Sequence, residues 1–99
     1  MYARVARWDG ADGDALRRSA AEMRSRAGDG PPEGVPAKGF LMLVDPAGGA
    51  SLAISLFETE ADLRKGDETL NAMSPGTDAG NVGRRTSVEM YEVAIDVRL

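Results

Sequence analysis

The stretch from Gly39 to Leu70 constrains the fold of this chain more than any other part of the sequence. It contains an apolar run at Phe40–Val44, then a turn rich in proline and glycine, then a run from Leu52 to Phe57 with leucine or isoleucine at every second position. A loop this short joins antiparallel neighbours, so the two runs predict a β-hairpin. Phe40–Val44 is apolar at every position, which is typical of a strand covered on both faces.

A helix is predicted directly after the hairpin. Thr59 is placed to cap its first turn, and Asp62, three residues later, completes a variant of the capping box. The inner stripe of this helix is formed by Leu63, Gly66, Leu70 and Met73, at the spacing of one helical face. A glycine inside a helix costs about 1 kcal/mol relative to alanine. Gly66 therefore indicates either close backbone approach or open space for a pocket beside the helix.

The remaining elements are predicted from alternating apolar residues in strands, from apolar residues at helical spacing, and from segments rich in proline or glycine. Tyr2–Trp8 predicts a first strand, and Asp14–Arg26 predicts a first helix with a stripe of Leu16, Ala20, Met23 and Ala27. Gly28–Ala37 and Ser74–Ser87 are rich in proline or glycine and predict irregular segments. Val88–Val97 predicts the last strand, with Tyr91 on one face and Met90 on the other.

The element order is β-α-β-β-α-β, which predicts an α+β, ferredoxin-like domain spanning residues 1–99. Right-handed crossovers place both helices on one face of a four-stranded antiparallel sheet. We expect Met90, Ala94 and one side of Phe40–Val44 to lie on the other face. That face is too apolar for water, so we expect a homodimer that packs sheet against sheet.

Composition excludes several classes of function. The chain has no cysteine and no histidine, which rules out disulfides and thiol catalysis and removes the commonest metal and haem ligand. Its formal net charge of −4 argues against nucleic acid and anionic membranes as partners. Arg4 and Arg7 interrupt any signal-peptide core, and no apolar run reaches the ~20 residues that span a bilayer. We expect a cytoplasmic protein with no metal and no cofactor.

The phrases LFETEADLRKGDETLNAM and TSVEMYEVAI, together with the element order and the doubly apolar hairpin, carry a family resemblance. They resemble the dimeric α/β-barrel superfamily, and more closely its antibiotic-biosynthesis-monooxygenase-like branch, from Tyr2 to Val97. The resemblance implies a homodimer with a barrel at its interface and a pocket between sheet and helices. Members include cofactor-free monooxygenases, haem-degrading enzymes, cyclases and isomerases. The haem-degrading branch typically uses a histidine as iron ligand, which this chain lacks.

The quinone-forming monooxygenases of this branch hold an electron-rich phenol in an apolar pocket, and the resemblance implies Asn, Trp, Tyr or Arg side chains that bind and deprotonate it. The candidate catalytic residues, matched by residue type, are Arg4, Trp8, Asn71 and Tyr91. Each also has a structural interpretation. Trp8 would cover a core edge, Tyr91 would lie in the core, and Asn71 would be solvated near a helix end. Arg4 would form a cross-strand or cross-subunit ion pair with Glu92.

Three functional hypotheses follow. The leading hypothesis is a cofactor-independent monooxygenase that acts on an aromatic or polyketide-like compound, with a small apolar or aromatic ligand in its pocket. The alternative is a non-catalytic ligand-binding or structural homodimer, favoured by the absence of a tuned acid–base pair. A weaker alternative is a cyclase or isomerase.

Overall fold

The structure is a computed structural model that describes residues 1–73 and 83–99. Its elements are β1 (Tyr2–Asp9), α1 (Gly13–Arg26), a short 3-10 helix (Ala27–Asp29), β2 (Gly39–Asp45), β3 (Ala50–Phe57), α2 (Glu60–Met73) and β4 (Arg84–Glu92). Within these ranges the four strands form one antiparallel sheet in the order β2-β3-β1-β4. The predicted ferredoxin-like fold is confirmed.

The strand register divides the sheet into a helix face and an outer face. Arg4 of β1 lies opposite Ser55 of β3, and Tyr2 lies opposite Phe57. Arg4 bonds to α2, and the ring of Phe57 lies against Gly66 of α2, so these residues mark the helix face. Residues of β1 that alternate with them, such as Val5, therefore point to the outer face.

The hydrophobic core lies between the sheet and α2. Its centre is formed by Val35, Phe57 and Leu63, each at most 5% exposed. Val35 belongs to the segment 28–37, which has no strand and only the end of the 3-10 helix, as its prolines and glycines predict. This irregular segment thus packs over α2 and supplies a core side chain. The predicted α2 stripe is confirmed for Leu63, Gly66 and Leu70. The side chain of Met73, the last residue of that stripe, lies outside the described set, as does that of Ala27 in the predicted stripe of the first helix.

The predicted bounds of the last strand are wrong. Val88–Val97 was expected, but β4 runs from Arg84 to Glu92, because it pairs with β1 along the whole length of that strand. Beyond Glu92 the chain passes the end of β1, and Ile95 is 81% exposed despite the β-type alternation around it. Of the predicted irregular segment, residues 84–87 are strand and residues 74–82 lie outside the described residues.

The sheet faces also differ from the prediction. Met90 was expected on the outer face, but it lies opposite Arg4 on the helix face, and Tyr91 takes the outer position. Ala94 follows the end of β4. Because both faces of the strand are apolar, the sequence pattern alone could not fix its phase.

The outer face is an apolar surface that neither α1 nor α2 covers. Its apolar side chains are those of Val5, Leu41, Leu43, Leu52, Ile54, Leu56 and Tyr91, and Arg7 and Glu89 are charged residues on the same face. β2 lies at the sheet edge, and its residues are exposed on both faces in the single chain, including Phe40 at 49% and Leu41 at 44%. The predicted double coverage of β2 is therefore absent within one chain. Across the described ranges, neither helix has the length and apolarity needed to cross a membrane.

Candidate functional site

A buried arginine organises the polar groups between β1 and α2. Arg4 is 4% exposed; its Nε donates to Oδ1 of Asp67 at 2.8 Å, and a terminal nitrogen donates to Oδ1 of Asn71 at 3.0 Å. Asp67 and Asn71 are four residues apart on α2, so one helical face presents both to the strand. The predicted cross-strand ion pair of Arg4 with Glu92 is wrong, because Arg4 turns toward α2 and pairs with Asp67.

A second arginine reaches the same amide from β4. Arg85 donates to Oδ1 of Asn71 at 2.9 Å, so that oxygen accepts from two guanidinium groups. We call Arg4, Asp67, Asn71 and Arg85 the Arg4 cluster. Its described members comprise two cations and one carboxylate. An excess of planar, multidentate donors of this kind suits an anionic oxygen, such as a phenolate or a carboxylate.

The structure joins two of the four sequence candidates and places a third opposite Arg85. Arg4 and Asn71 share a hydrogen bond, and Trp8 lies on the helix face of β1, directly opposite Arg85 in the sheet. Trp8 is partly buried, so an apolar indole borders the cationic end of the Arg4 cluster. Tyr91 lies on the outer face instead.

Tyr91 is 51% exposed, so its interpretation as a core residue is wrong. A hydrogen bond with Glu89, two residues away on the same face, raises the pKa of the Tyr91 hydroxyl above its ordinary value. The charge of Glu89 acts in the same direction. Tyr91 is thus held protonated, as a neutral donor, on the apolar outer face.

Gly66 does not mark a pocket. A β-carbon at this position would overlap the ring of Phe57, which fills the space beside the helix. Of the two explanations for Gly66, close approach is the one found, by an aromatic ring rather than by backbone. Phe57 is fully buried, so this contact belongs to the core.

One shallow cleft opens beside the first turns of α2. Its volume is about 260 Å³, and it is lined by Tyr2, Glu60, Leu63, Arg64, Met90, Tyr91 and Glu92. Pockets that enclose a drug-sized ligand are typically about 300–1,000 Å³. The cleft is smaller and open, and it does not include any residue of the Arg4 cluster.

Two members of the Arg4 cluster were missed or misplaced by sequence reasoning. Asp67 could have been found by seeking an acid one helical turn from Asn71, because a buried arginine needs a carboxylate partner. Arg85 was assigned to an irregular segment because the start of β4 was predicted four residues too late. A pair of arginines in a loop is commonly solvated, so Arg85 was not considered as a site residue.

The comparisons with known proteins identify the fold. No protein-family model matches the chain, and no curated protein matches its sequence. Among solved structures, the haem degrader MhuD from Mycobacterium tuberculosis, with two haems bound in its active site, is 16% identical, with a TM-score of 0.66 over 99% of this chain and 100% of that chain. An arginine-to-serine mutant of MhuD, with two manganese protoporphyrin IX bound per active site, is 18% identical, with a TM-score of 0.65 over 99% of both chains. This chain has the ferredoxin-like fold of these structures.

At these identities the likeness is one of fold, and the residues of this chain must decide the chemistry. The sequence contains neither histidine nor cysteine, two common axial ligands of haem iron. Within the described ranges no cluster of three acidic side chains could hold a metal ion. The Arg4 cluster offers guanidinium and amide N–H donors, whose chemistry suits oxygen acceptors rather than a metal ion.

Proposed function

We propose that this protein is a small-molecule enzyme of the cofactor-independent monooxygenase type, acting on an aromatic or polyketide-like phenol. The observation that carries the proposal is the convergence of Arg4 and Arg85 on Asn71, beside Trp8, on the helix face of the sheet. This combination offers cationic donors for a phenolate and an indole for its ring.

The donors of the Arg4 cluster are sufficient for a ligand oxygen. A guanidinium has five N–H groups. Hydrogen bonds among the described residues use two from Arg4 and one from Arg85. The remaining donors can stabilise a phenolate, which lowers the pKa of the bound phenol and lets water accept its proton.

The proposed reaction needs only molecular oxygen as co-reactant. The electron-rich ring of a hydroxyanthrone anion reduces oxygen, one oxygen atom becomes the new quinone carbonyl, and the other leaves as water. Atoms balance as anthrone plus O₂ giving anthraquinone plus H₂O. The protein contributes by binding and stabilising the anion and by orienting its ring.

The test uses dithranol, a hydroxyanthrone, as the probe, with oxygen uptake and quinone absorbance measured together. We expect one oxygen consumed per quinone formed, at a rate above the enzyme-free reaction and unaffected by metal chelators. Arg85→Ala should lower kcat/KM about 10- to 100-fold, because a charge-assisted hydrogen bond contributes about 1.5–3 kcal/mol.

Arg84→Ala is the matched control, since Arg84 is the exposed neighbour of Arg85 on β4 and makes no ion pair with the described residues. It should leave the rate unchanged. Wild-type protein that does not exceed the enzyme-free rate, or equal effects of the two variants, would contradict the proposal.

The second candidate is a non-catalytic ligand-binding or structural homodimer. The filled space at Gly66 favours it, because Phe57 closes the one gap that the α2 stripe could have left for a substrate. A protein of this kind would bind aromatic anions without consuming oxygen in the same assay.

Both candidates include self-association through the outer face. Burial of that face stabilises a pair of chains by roughly 25 cal/mol per Å² of apolar surface removed from water. A second copy is the occupant we propose, because an identical apolar sheet brings matching surface. Arg7, paired with Asp9, is the basic group of β1 on this face. Glu89, bonded to Tyr91, is the acidic group of β4 that such packing would have to accommodate.

A further inference from the structure

We infer that Asp67 is a positioning residue that selects ligands with an acceptor oxygen, by fixing which end of the Asn71 amide the site presents. The inference deepens the proposed function and rests on its assignment of the Arg4 cluster as the ligand site. Asp67 acts through Arg4 and need not touch the ligand.

The first step is the orientation of Asn71. Its Oδ1 accepts from Arg4 at 3.0 Å and from Arg85 at 2.9 Å. A flip of the amide would place its NH₂ group against two cationic donors, with no acceptor for either. The oxygen therefore stays on the arginine side, and Nδ2 becomes the group that Asn71 can offer to a ligand.

The second step is the role of Asp67 in holding Arg4. Oδ1 of Asp67 accepts from Nε of Arg4 at 2.8 Å, with the two side chains 21% and 5% exposed. Nε is the only donor on the stem side of the guanidinium, so this bond sets the rotation of the whole group. The terminal nitrogen is thereby aimed at Asn71, one helical turn further along α2.

The fixed orientation of the Asn71 amide determines which class of ligand the site favours. With Oδ1 of Asn71 occupied, Asn71 and both arginines present only N–H groups to a ligand. The acceptor that remains in the Arg4 cluster is the carboxylate of Asp67, whose Oδ1 already accepts from Arg4, so donors outnumber acceptors. A phenolate or carbonyl oxygen satisfies such a site. An amine of the same shape leaves the donors unpaired, which is costly in a partly buried site.

The first experiment needs no ligand. The sequence has no glutamine and has asparagine at positions 71 and 81 alone, so the side-chain amide region of a proton–nitrogen NMR spectrum contains two NH₂ groups, assigned with Asn81→Ser. Asp67→Asn adds a third NH₂ group, so the Asn71 pair is identified there as the one that is absent from the Asp67→Asn/Asn71→Ser double variant. We expect this pair to move toward the shifts of a free amide, and in Asp67→Glu to recover in part. The backbone spectrum reports whether each variant folds. An unchanged Asn71 pair in folded Asp67→Asn would overturn the inference.

The second experiment separates positioning from charge, with para-nitrophenolate and para-nitroaniline as probes of equal shape. Asp67→Asn removes a negative charge, so a purely electrostatic role predicts tighter phenolate binding. Positioning predicts the opposite: phenolate affinity falls about tenfold and the preference over the aniline narrows. Glu68→Gln removes the same charge from an exposed neighbour on α2 and should leave the preference unchanged.

The two experiments distinguish failure of the proposed ligand site from failure of the positioning role of Asp67. Wild-type protein that binds neither probe contradicts both the ligand site and the selectivity, whereas an Asn71 amide that responds to Asp67→Asn still upholds the positioning. Phenolate binding that strengthens in Asp67→Asn overturns the positioning and leaves the proposed function standing.

Discussion

The ring of Phe57 in β3 lies directly against Gly66 of α2, with no room between them for a β-carbon. Phe57 is fully buried and Leu63 beside it is 4% exposed, so this contact sets how closely the helix approaches the sheet. The same approach brings Asp67 and Asn71, one and five residues further along α2, into reach of Arg4. Core packing and the polar site therefore depend on one helix position.

Gly66→Ala should destabilise the protein although alanine favours helices. The helix gains about 1 kcal/mol, but overpacking against a buried ring costs about 1–3 kcal/mol. We expect a net loss of up to about 2 kcal/mol in the free energy of unfolding, measured by urea denaturation.

A double-mutant cycle isolates this contact. In a Phe57→Leu background the smaller side chain leaves space, so Gly66→Ala should become neutral or stabilising. Ala61→Gly, at an exposed position of α2, measures helix propensity alone. A Gly66→Ala protein that is more stable than wild type would show that the helix can shift away from Phe57.

Removing the guanidinium of Arg4 should cost much more than removing an exposed one. Arg4→Met leaves Asp67, 21% exposed, without its partner, and we expect a loss of about 2 kcal/mol in the free energy of unfolding. The control is Arg64→Met, which breaks a pair with Glu60 whose side chains are 75% and 56% exposed and should cost below about 0.5 kcal/mol. Equal losses would mean that the Arg4–Asp67 pair contributes no more than a surface pair.

Thr86→Val should raise the pKa of Asp9. The hydrogen bond from Arg7, followed by that from Thr86 at 2.6 Å, holds this pKa below its ordinary value of 3.8. A carboxyl whose pKa is lowered by folding stabilises the protein above 3.8, and that contribution is lost as the pH falls through the folded-state pKa. In Thr86→Val the folded-state pKa moves closer to 3.8, so the contribution should be smaller and its loss should be complete at a higher pH.

The measurement is a carboxyl-carbon NMR titration of Asp9. Ser87→Ala, at the next position of β4, is the control and should leave the midpoint unchanged. If Asp9 titrated at the same pH in Thr86→Val as in wild type, the hydroxyl would have no part in the shift.

Self-association should depend on which face of β2 is altered. Leu41 points to the outer face and Phe40 to the helix face, with 44% and 49% exposure in the single chain. Leu41→Glu should weaken self-association about 100-fold or more, because burial of an unpaired carboxylate costs several kcal/mol.

Phe40→Glu places the same charge on the same strand and should leave the dimer intact. Sedimentation velocity over a range of concentrations distinguishes the two variants. A wild-type protein that remains monomeric, or a dimer that survives Leu41→Glu, would remove the outer face as the interface.

The helices and the hairpin could be predicted from the sequence because their signals are local. The spacing of Leu63, Gly66 and Leu70 defines one helical face whatever packs against it. The phase of β4 depends on its pairing with β1, and apolar residues on both of its faces leave that pairing open. The wrong start and phase of β4 led to wrong positions for Met90, Tyr91 and Arg85.

The Arg4 cluster was only partly predictable for a related reason. Residue type suggested Arg4 and Asn71, but nothing near Arg4 in the chain indicates that it would be buried. Its partner Asp67 is 63 residues away and is chosen by the packing of α2 on the sheet. Trp8 and Arg85 likewise become neighbours only through the pairing of β1 with β4.

The sheet order β2-β3-β1-β4 also governs how this protein can fold during its synthesis. β1 is made first but lies inside the sheet, and one of its edges pairs with β4, the last strand to be made. At about 5–20 residues per second, the ribosome needs roughly 2–7 seconds to extend the chain from Phe57 to Glu92. During that interval β1 can join β3 while its other edge stays open, so a nascent chain presents an unpaired strand edge to chaperones and to neighbouring chains.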